Sequence, residues 1–322
     1  TRSVGGAGRD AAAATGGSTG SCCRRSSRGP LITYYRTVNN ANPAKNASRE
    51  SRELAHFLAE HQRLVVLTGA GISRDSGIPT YRDDSGTWLP AQPIRHQAFL
   101  DDAPTRRRYW ARSWYGWPVL RQAQPNAAHR ALAELESRGS LSLLITQNVD
   151  GLHERAGNRR VVDLHGRVDR VRCLACGLHH PRDEVQDMLG ATNHWPAQPV
   201  QETRPDGDMD IADAFSAGLT LPRCRDCSGD LMPDVVFFGG NVPRDTVRQC
   251  KDAVRNADAL LVVGSSLMVY SGFRFCRLAS ELGKPLAIAN PGVTRGDALA
   301  TLRLHAPAGP LLASAVSLRD SA

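Results

Sequence analysis

Four cysteines stand in two Cys-x-x-Cys pairs, Cys173/Cys176 and Cys224/Cys227. Each pair can present two thiolates from one tight turn, and two such turns complete a tetrahedral Cys₄ zinc site. Forty-seven residues separate the pairs, so an insertion must loop out between them. Four thiolates fill the coordination shell and leave no open position, which makes the expected zinc structural; His179 and His180 are then surplus as ligands. A redox dithiol is the alternative, but such a motif usually comes singly beside a βαβ unit. No secretory signal is visible, so paired cysteines point to metal before disulfide.

A second group of residues suits a phosphate-bearing ligand and proton transfer. Gly69-Ala70-Gly71 follows an apolar run and is nearly free of side chains, so backbone can approach a ligand closely. Ser73, Asp75 and Ser76 suit capping a short helix whose N–H groups would face phosphate. The bland alternative is a tight strand-to-helix turn, since the third glycine of a dinucleotide fingerprint is missing. Gln147, Asn148 and Asp150 follow another apolar run; they either cap the next helix or meet the ribose and amide of a dinucleotide. His165 precedes Gly166 and is either a satisfied turn histidine or a general base. Gly264-Ser265-Ser266 forms another small, hydroxyl-rich turn able to hold phosphate or ribose.

These residues need a scaffold, and the apolar pattern supplies one. Leu64 to Leu67, Leu141 to Thr146, Val161 to His165, Ala259 to Val263 and Leu286 to Ala289 read as short buried strands, with Leu302 to Leu304 as a possible last one. Val235 to Phe238 reads as a further extended run. Helices are expected over about 51–62, from Asn126 to Gly139, over about 243–256 and over about 272–282. Alternation of strands and helices gives an α/β fold: a Rossmann-type doubly wound parallel sheet with a smaller zinc-binding domain. The polar residues gather where strands end, which is where open α/β sheets bind ligands.

The expected layout is a disordered basic arm at 1–50 and a dinucleotide-binding domain from 51–88, 126–166 and 230–320. A helical cap occupies 89–125, and the zinc domain 167–229. The stretch from Arg82 to Asn126 lacks clean periodicity and is read as a cap or lid. Together with Trp88, it holds Trp110, Trp114 and Trp117, four of the five tryptophans.

Charge narrows the partners. Residues 1–52 hold nine basic and two acidic groups, so they carry +7 of the formal +8 and leave +1 for the other 270 residues. A nucleic-acid-binding face gets little support from a near-neutral core, and no apolar run approaches the ~20 residues that span a bilayer. The arm is Arg-rich and acid-poor, as in a mitochondrial transit peptide; the alternative is an extension from an upstream reading of the gene.

The motifs together resemble the sirtuins. Gly69-Ala70-Gly71-Ile72-Ser73, Ser76-Gly77-Ile78-Pro79-Thr80-Tyr81-Arg82 and Thr146-Gln147-Asn148-Val149-Asp150-Gly151-Leu152-His153 stand in that family's order. Leu164-His165-Gly166, the four cysteines, Pro233-Asp234-Val235-Val236-Phe237-Phe238-Gly239 and Gly264-Ser265-Ser266-Leu267 follow in the same order. The class II branch, with the mitochondrial sirtuin-four type, is most similar. Arg108-Tyr109-Trp110-Ala111-Arg112, Gly116-Trp117-Pro118, Pro205-Asp206-Gly207-Asp208 and Val269-Tyr270-Ser271-Gly272 carry that part of the resemblance. Gly240-Asn241 departs from it, since many relatives have an acidic residue after the glycine.

The resemblance implies an NAD-dependent protein-lysine deacylase with NAD as cofactor, one structural zinc and acyl-lysine proteins as partners. Gly69, Ala70 and Gly71 would approach the pyrophosphate, with Ser73 beside them and Tyr81 and Arg82 closing over it. Gln147, Asn148 and Asp150 would hold the nicotinamide and its ribose. Gly264, Ser265 and Ser266 would contact the adenosine side, with Asn290, Pro291 and Gly292 at its ribose and Ala308 near adenine. His165 would take a proton from a ribose hydroxyl, and the products would be nicotinamide, lysine and an O-acyl-ADP-ribose. Val235, Val236 and Phe237 would bind the peptide strand against strand. Mono-ADP-ribosyl transfer is the alternative activity, and a monomer in the cytoplasm, or else the mitochondrial matrix, the expected state. Aligned back from Pro125-Asn126, the family's acid-reading pair falls on Ser113 and Gly116, one turn beyond Tyr109 and Arg112. That register leaves no acid reader and implies weak deacetylation with a preference for longer apolar acyl groups.

Overall fold

A computed structural model of the chain describes residues 48–81, 83, 87, 93–197 and 216–319. The basic arm up to residue 47, Arg82, Trp88 and the Pro205–Asp208 segment lie outside the described residues.

The central sheet has six strands, all parallel, in the order β3-β2-β1-β7-β8-β9. These are β1 (Leu64–Thr68), β2 (Leu141–Thr146), β3 (Val161–Asp163), β7 (Ala259–Val263), β8 (Leu286–Ala289) and β9 (Leu302–Leu304). Every residue of β1, β7 and β8 is buried. Only runs such as Leu64-Val65-Val66-Leu67 can fill both faces of a covered parallel sheet. On one face pack α1 (Arg49–Glu60), α4 (Ala127–Ser137) and α9 (Ala308–Arg319), through Leu54, Leu58, Leu132, Leu135, Leu312 and Val316. On the other face lie α7 (Arg244–Asn256) and α8 (Tyr270–Glu281), where Cys250 and Cys276 are buried among Val254 and Phe275. Strand order reverses between β1 and β7, and the crevice at that reversal is where such sheets take ligands.

A second, antiparallel sheet joins β4 (Gly166–Cys173), β5 (His179–Pro181) and β6 (Leu231–Val235) in the order β5-β4-β6. Strand β6 ends at Val235, so the run expected to extend through Phe238 stops early. It is an edge strand, which accommodates Pro233 because a proline N cannot donate to a neighbour.

The aperiodic stretch proves helical. Besides α2 (His96–Asp101), the 20-residue α3 (Ala103–Gln122) fills it, capped by Asp102 accepting from the Thr105 N–H at 2.8 Å. No apolar stripe marks it because the buried side of α3 mixes Thr105, Ser113 and Gly116 with Tyr109, Trp110, Trp117 and Leu120. Pro118 lies inside it and cannot donate to the Trp114 carbonyl. That carbonyl instead accepts from Gln186 Nε2 at 3.0 Å, and the Ser113 carbonyl from Arg182 at 3.1 Å. Both partners sit on α6 (Arg182–Thr192), a helix not foreseen, so the proline gap is sealed by the small domain. Also unforeseen is α9, whereas α5 (Leu152–Ala156) is the helix that the residues after β2 were weighed as capping.

Two imidazoles lie beneath the sheet's ligand edge. The Asn126 N–H donates to His129 Nδ1 at 3.3 Å, completing a capping box at the start of α4. His153 Nε2 meets Thr68 Oγ1 at 2.9 Å, and the rings are 4.8 Å apart. Burial pushes His129 down to about 4 and His153 well below its ordinary value. The unfolded chain therefore binds more protons, and stability falls as pH drops from about 6.5 toward 4. His129 by itself accounts for about 3 kcal/mol over that window. Urea midpoints should fall between pH 7.5 and pH 5, and His129→Gln, which retains a capping-box side chain, should flatten the slope. Equal slopes in the two proteins would rule out His129 as the titrating group.

Candidate functional site

A cavity of about 720 Å³ opens at the C-terminal edge of β1, β2 and β7 and reaches the end of β6. From the glycine turn it is lined by Gly69, Ala70, Gly71, Ser73 and Tyr81. Gln147, Asn148, Asp150 and His165 form its polar wall, and Val235, Val236 and Phe237 its opposite side. Gly264, Ser265, Ser266, Asn290, Pro291 and Ala308 line the remainder. Gly292, expected with Asn290 and Pro291, is off the wall: it is buried, and its carbonyl accepts from Asn290 Nδ2 at 2.8 Å and from Arg303.

The glycine turn differs from its expected form. A seven-residue 3₁₀ helix runs from Ala70 to Ser76, so Ser73, Asp75 and Ser76 lie within it and do not cap it. Gly69 N–H donates to the Val263 carbonyl at 3.2 Å and Gly71 N–H to the Gly264 carbonyl at 2.8 Å, so neither is free for phosphate. A Cβ on Gly71 would meet Gly264 O at 2.8 Å, and one on Gly264, at φ +62°, would meet Ile72 N at 2.4 Å. These glycines let the turns after β1 and β7 lock together at the strand reversal, and the ligand wall is the surface of that lock.

The polar wall is one network. Gln147 Nε2 donates to the Thr68 carbonyl at 3.1 Å and to Ser265 Oγ at 2.7 Å, tying β1, β2 and β7. Asn148 Nδ2 donates to Ser73 Oγ at 3.0 Å, and Ser73 donates to Asp150 Oδ2 at 2.8 Å. Burial raises the Asp150 carboxyl, against the Leu152 N–H and Ser73 hydrogen bonds that lower it.

His165 lies between β3 and β4. Its Nδ1 is 2.9 Å from the Gln147 carbonyl, which can only accept, so Nδ1 carries the proton. The Nε2 lone pair then accepts from Ser271 Oγ at 2.7 Å. Burial lowers the imidazole pKa and the Arg274 charge lowers it further, while the Gln147 bond opposes both. The ring is a neutral base whose Nε2 lone pair, shared with the Ser271 hydroxyl, stands at the cavity wall. Sequence reasoning gave Ser271 no role, because a serine in the first turn of a helix carries no local mark of a partner 106 residues away.

Tyr109 was likewise missed as a wall residue. It is the residue of α3 that lines the cavity, packed edge-on against Phe99 and Phe237 at 5.5 and 5.4 Å. Ser113 and Gly116 are buried away from it, Ser113 holding Arg182. The expected register put Ser113 and Gly116 at the site, but the α3 residue on the cavity wall is Tyr109, one turn earlier, and Arg112 is not on the wall.

The ligand atoms of Cys173, Cys176, Cys224 and Cys227 all lie within 4.8 Å of one another. Sγ pairs are 3.4 Å (Cys173, Cys227) and 3.8 Å (Cys176, Cys224) apart. Zn–S bonds of about 2.3 Å would put tetrahedral sulfurs about 3.8 Å apart, so the donor set fits zinc. Backbone N–H groups of Cys176 and Ala175 aim at Cys173 Sγ and hold its thiol down at about 6. His180 Nε2 lies 3.4 Å from Cys224 Sγ, placed to donate to a ligand rather than to be one.

The sequence profile of the Sir2 family matches residues 69–271. The chain belongs to the Sir2 family. Among curated relatives, the NAD-dependent protein deacetylase 2 of Bradyrhizobium diazoefficiens is 53% identical over 261 residues, which covers 81% of this chain and 95% of that one. The NAD-dependent protein deacetylase of Xanthomonas axonopodis pathovar citri is 50% identical over 286 residues, 85% and 97% of the two chains. A solved Sir2 with a p53 peptide and NAD⁺ is 29% identical with a TM-score of 0.67 and covers 84% of this chain and 99% of that one. Another, solved for the mechanism and regulation of Sir2 enzymes, is 32% identical with a TM-score of 0.67, covering 84% and 98%.

Proposed function

We propose that this sirtuin is an NAD-dependent protein-lysine deacylase of the class II branch, preferring apolar acyl groups longer than acetyl. The observation that carries the activity is the His165 imidazole, neutral and fixed by Gln147 with Nε2 at the wall of a cavity walled by Gly69, Gly71 and Gly264. The cavity is within the ~300–1,000 Å³ of small-molecule sites, and its polar wall of Asn148, Asp150, Ser73 and Ser265 matches the hydroxyl and amide groups of a dinucleotide.

The residues lining this cavity would hold NAD, which would supply a ribose carbon able to exchange nicotinamide for the acyl oxygen. Asn148 and Asp150, braced through Ser73, orient the groups at that end of the cavity. His165 accepts a hydroxyl proton at Nε2 and keeps its Nδ1 proton on the Gln147 carbonyl, so it changes charge without changing orientation. The open edge of β6 at Val235 offers backbone to an extended peptide, leading an acyl-lysine into the cavity past Phe237. Cys173, Cys176, Cys224 and Cys227 would hold a zinc that keeps the small sheet folded and takes no part in the chemistry.

The selectivity rests on the acyl end of the cavity, where Ile94, Tyr109, Val168 and Phe237 present apolar surface and Arg112 is absent. Each further methylene buried there gains ~0.8 kcal/mol. A panel of acyl-lysine peptides, with and without NAD and scored by mass, should show weak loss of acetyl, little loss of succinyl and faster loss of longer or branched chains. If succinyl- or glutaryl-lysine is best, and Arg112→Met abolishes only that activity, the selectivity is overturned. Nicotinamide release without loss of any acyl group would instead indicate mono-ADP-ribosyl transfer.

A further inference from the structure

Both nitrogens of the His165 ring are engaged, and by segments remote from it in sequence. Nδ1 is held by a main-chain carbonyl at the end of β2, and Nε2 by the Ser271 hydroxyl in the first turn of α8. The two supports are built against each other: a Cβ at Gly272, the residue after Ser271, would meet Gln147 Oε1 at 2.6 Å. The start of α8 therefore packs directly on Gln147, and the imidazole is clamped between Gln147 and Ser271. Ser271 also lines the cavity, so its hydroxyl stands beside whatever gives His165 a proton.

We propose that Ser271 is a positioning residue for His165, serving the imidazole both before and after it takes up a proton. A hydroxyl is one donor with two acceptor lone pairs and rotates about its C–O bond. Toward the neutral ring it donates to the Nε2 lone pair and holds the ring plane. When an incoming ribose hydroxyl takes over that lone pair and transfers its proton, Nε2 becomes a donor. The Ser271 oxygen, 2.7 Å away, can then accept from Nε2–H. The proton moves from substrate to Nε2, Ser271 keeps its own, and the new imidazolium has an acceptor at each nitrogen, the Gln147 carbonyl and Ser271 Oγ. Arg274, one turn along α8, is the charge that acts on the ring from this side and opposes its protonation, so an acceptor at Nε2 offsets a real penalty. Asp163 ends β3 two residues before His165, and Asp150 lies four residues beyond the end of β2.

The inference rests on the reading of His165 as the base, and the test separates the two. Ser271→Ala should lower the deacylation kcat on the order of tenfold with KM for NAD unchanged. Nicotinamide exchange, which precedes the proton step, should persist. Ser271→Thr, which keeps the hydroxyl, should restore the rate, and in a His165→Ala background Ser271→Ala should cost nothing more. Loss of nicotinamide exchange along with deacylation would mean a merely structural role and overturn the proposal. So would a full-rate Ser271→Ala enzyme, or an additive loss in the double variant. A His165→Ala enzyme that deacylates at the wild-type rate would instead sink the base assignment itself.

Discussion

His165→Ala should reduce deacylation roughly 10²–10⁴-fold, the usual worth of a positioned general base. The loss should fall on kcat. The walls that hold a dinucleotide are built without this ring: Gly69 and Gly71 are bonded to the end of β7, and Gln147 is bonded to Thr68 and Ser265. NAD affinity, measured by calorimetry, should therefore change little. His165→Asn is a useful companion, since its amide can still donate to the Gln147 carbonyl while lacking a basic nitrogen. The pH profile gives a second check. Burial and Arg274 hold the imidazole below its ordinary pKa, so the base remains unprotonated as pH falls through about 6.5. Activity should hold through neutral pH and decline only on the acid side of that value. Near-wild-type turnover in His165→Ala would remove the ring from the mechanism.

The second large effect concerns the metal. Cys173→Ser should release zinc and unfold the small sheet, because the binding energy of such sites, on the order of 10 kcal/mol, is folding energy. The damage should reach the cavity. Strand β4 begins at Gly166, directly after His165, and ends at Cys173; β6 ends at Val235 on the cavity wall. The two pair from Cys173 opposite Leu231 to Gly166 opposite Val235, so the thiolates fasten one end of a ladder whose other end frames the site. Deacylation should be lost together with zinc, and a chelator should reproduce this in the unaltered protein. Metal analysis that finds active protein without zinc would refute the Cys₄ assignment.

The residues that were legible in the sequence are those whose signal is local. A buried parallel strand is marked by its own apolar run, and β1, β2, β7 and β8 lie where those runs are. A Cys-x-x-Cys turn is likewise local, and the pairs converge despite the insertion because two half-sites complete only one tetrahedral shell. Residues 89–125 were legible as a helical cap, but the bounds and facing of α3 were not, for the converse reason. Its buried side carries Thr105, Ser113 and Gly116 among the aromatics, and its internal proline is sealed by Gln186 of another element. Periodicity reports a helix with one apolar face and one wet face, and α3 is not such a helix.

The sequence by itself determined the elements of the large sheet, the metal ligands, the family, and that Gln147, Asn148, Asp150 and His165 stand at strand ends. Each of these follows from neighbouring residues, through period, spacing or motif. The tertiary structure decided what those side chains do to one another. Only the packing of α8 on Gln147 brings Ser271 to Nε2, and only the lock between two turns shows that Gly69, Gly71 and Gly264 make room for backbone. Only the placement of α3 chooses Tyr109 over Ser113 for the cavity wall. These are contacts between residues far apart in the chain, fixed by how close-packed elements exclude one another's volume, and no local pattern encodes them.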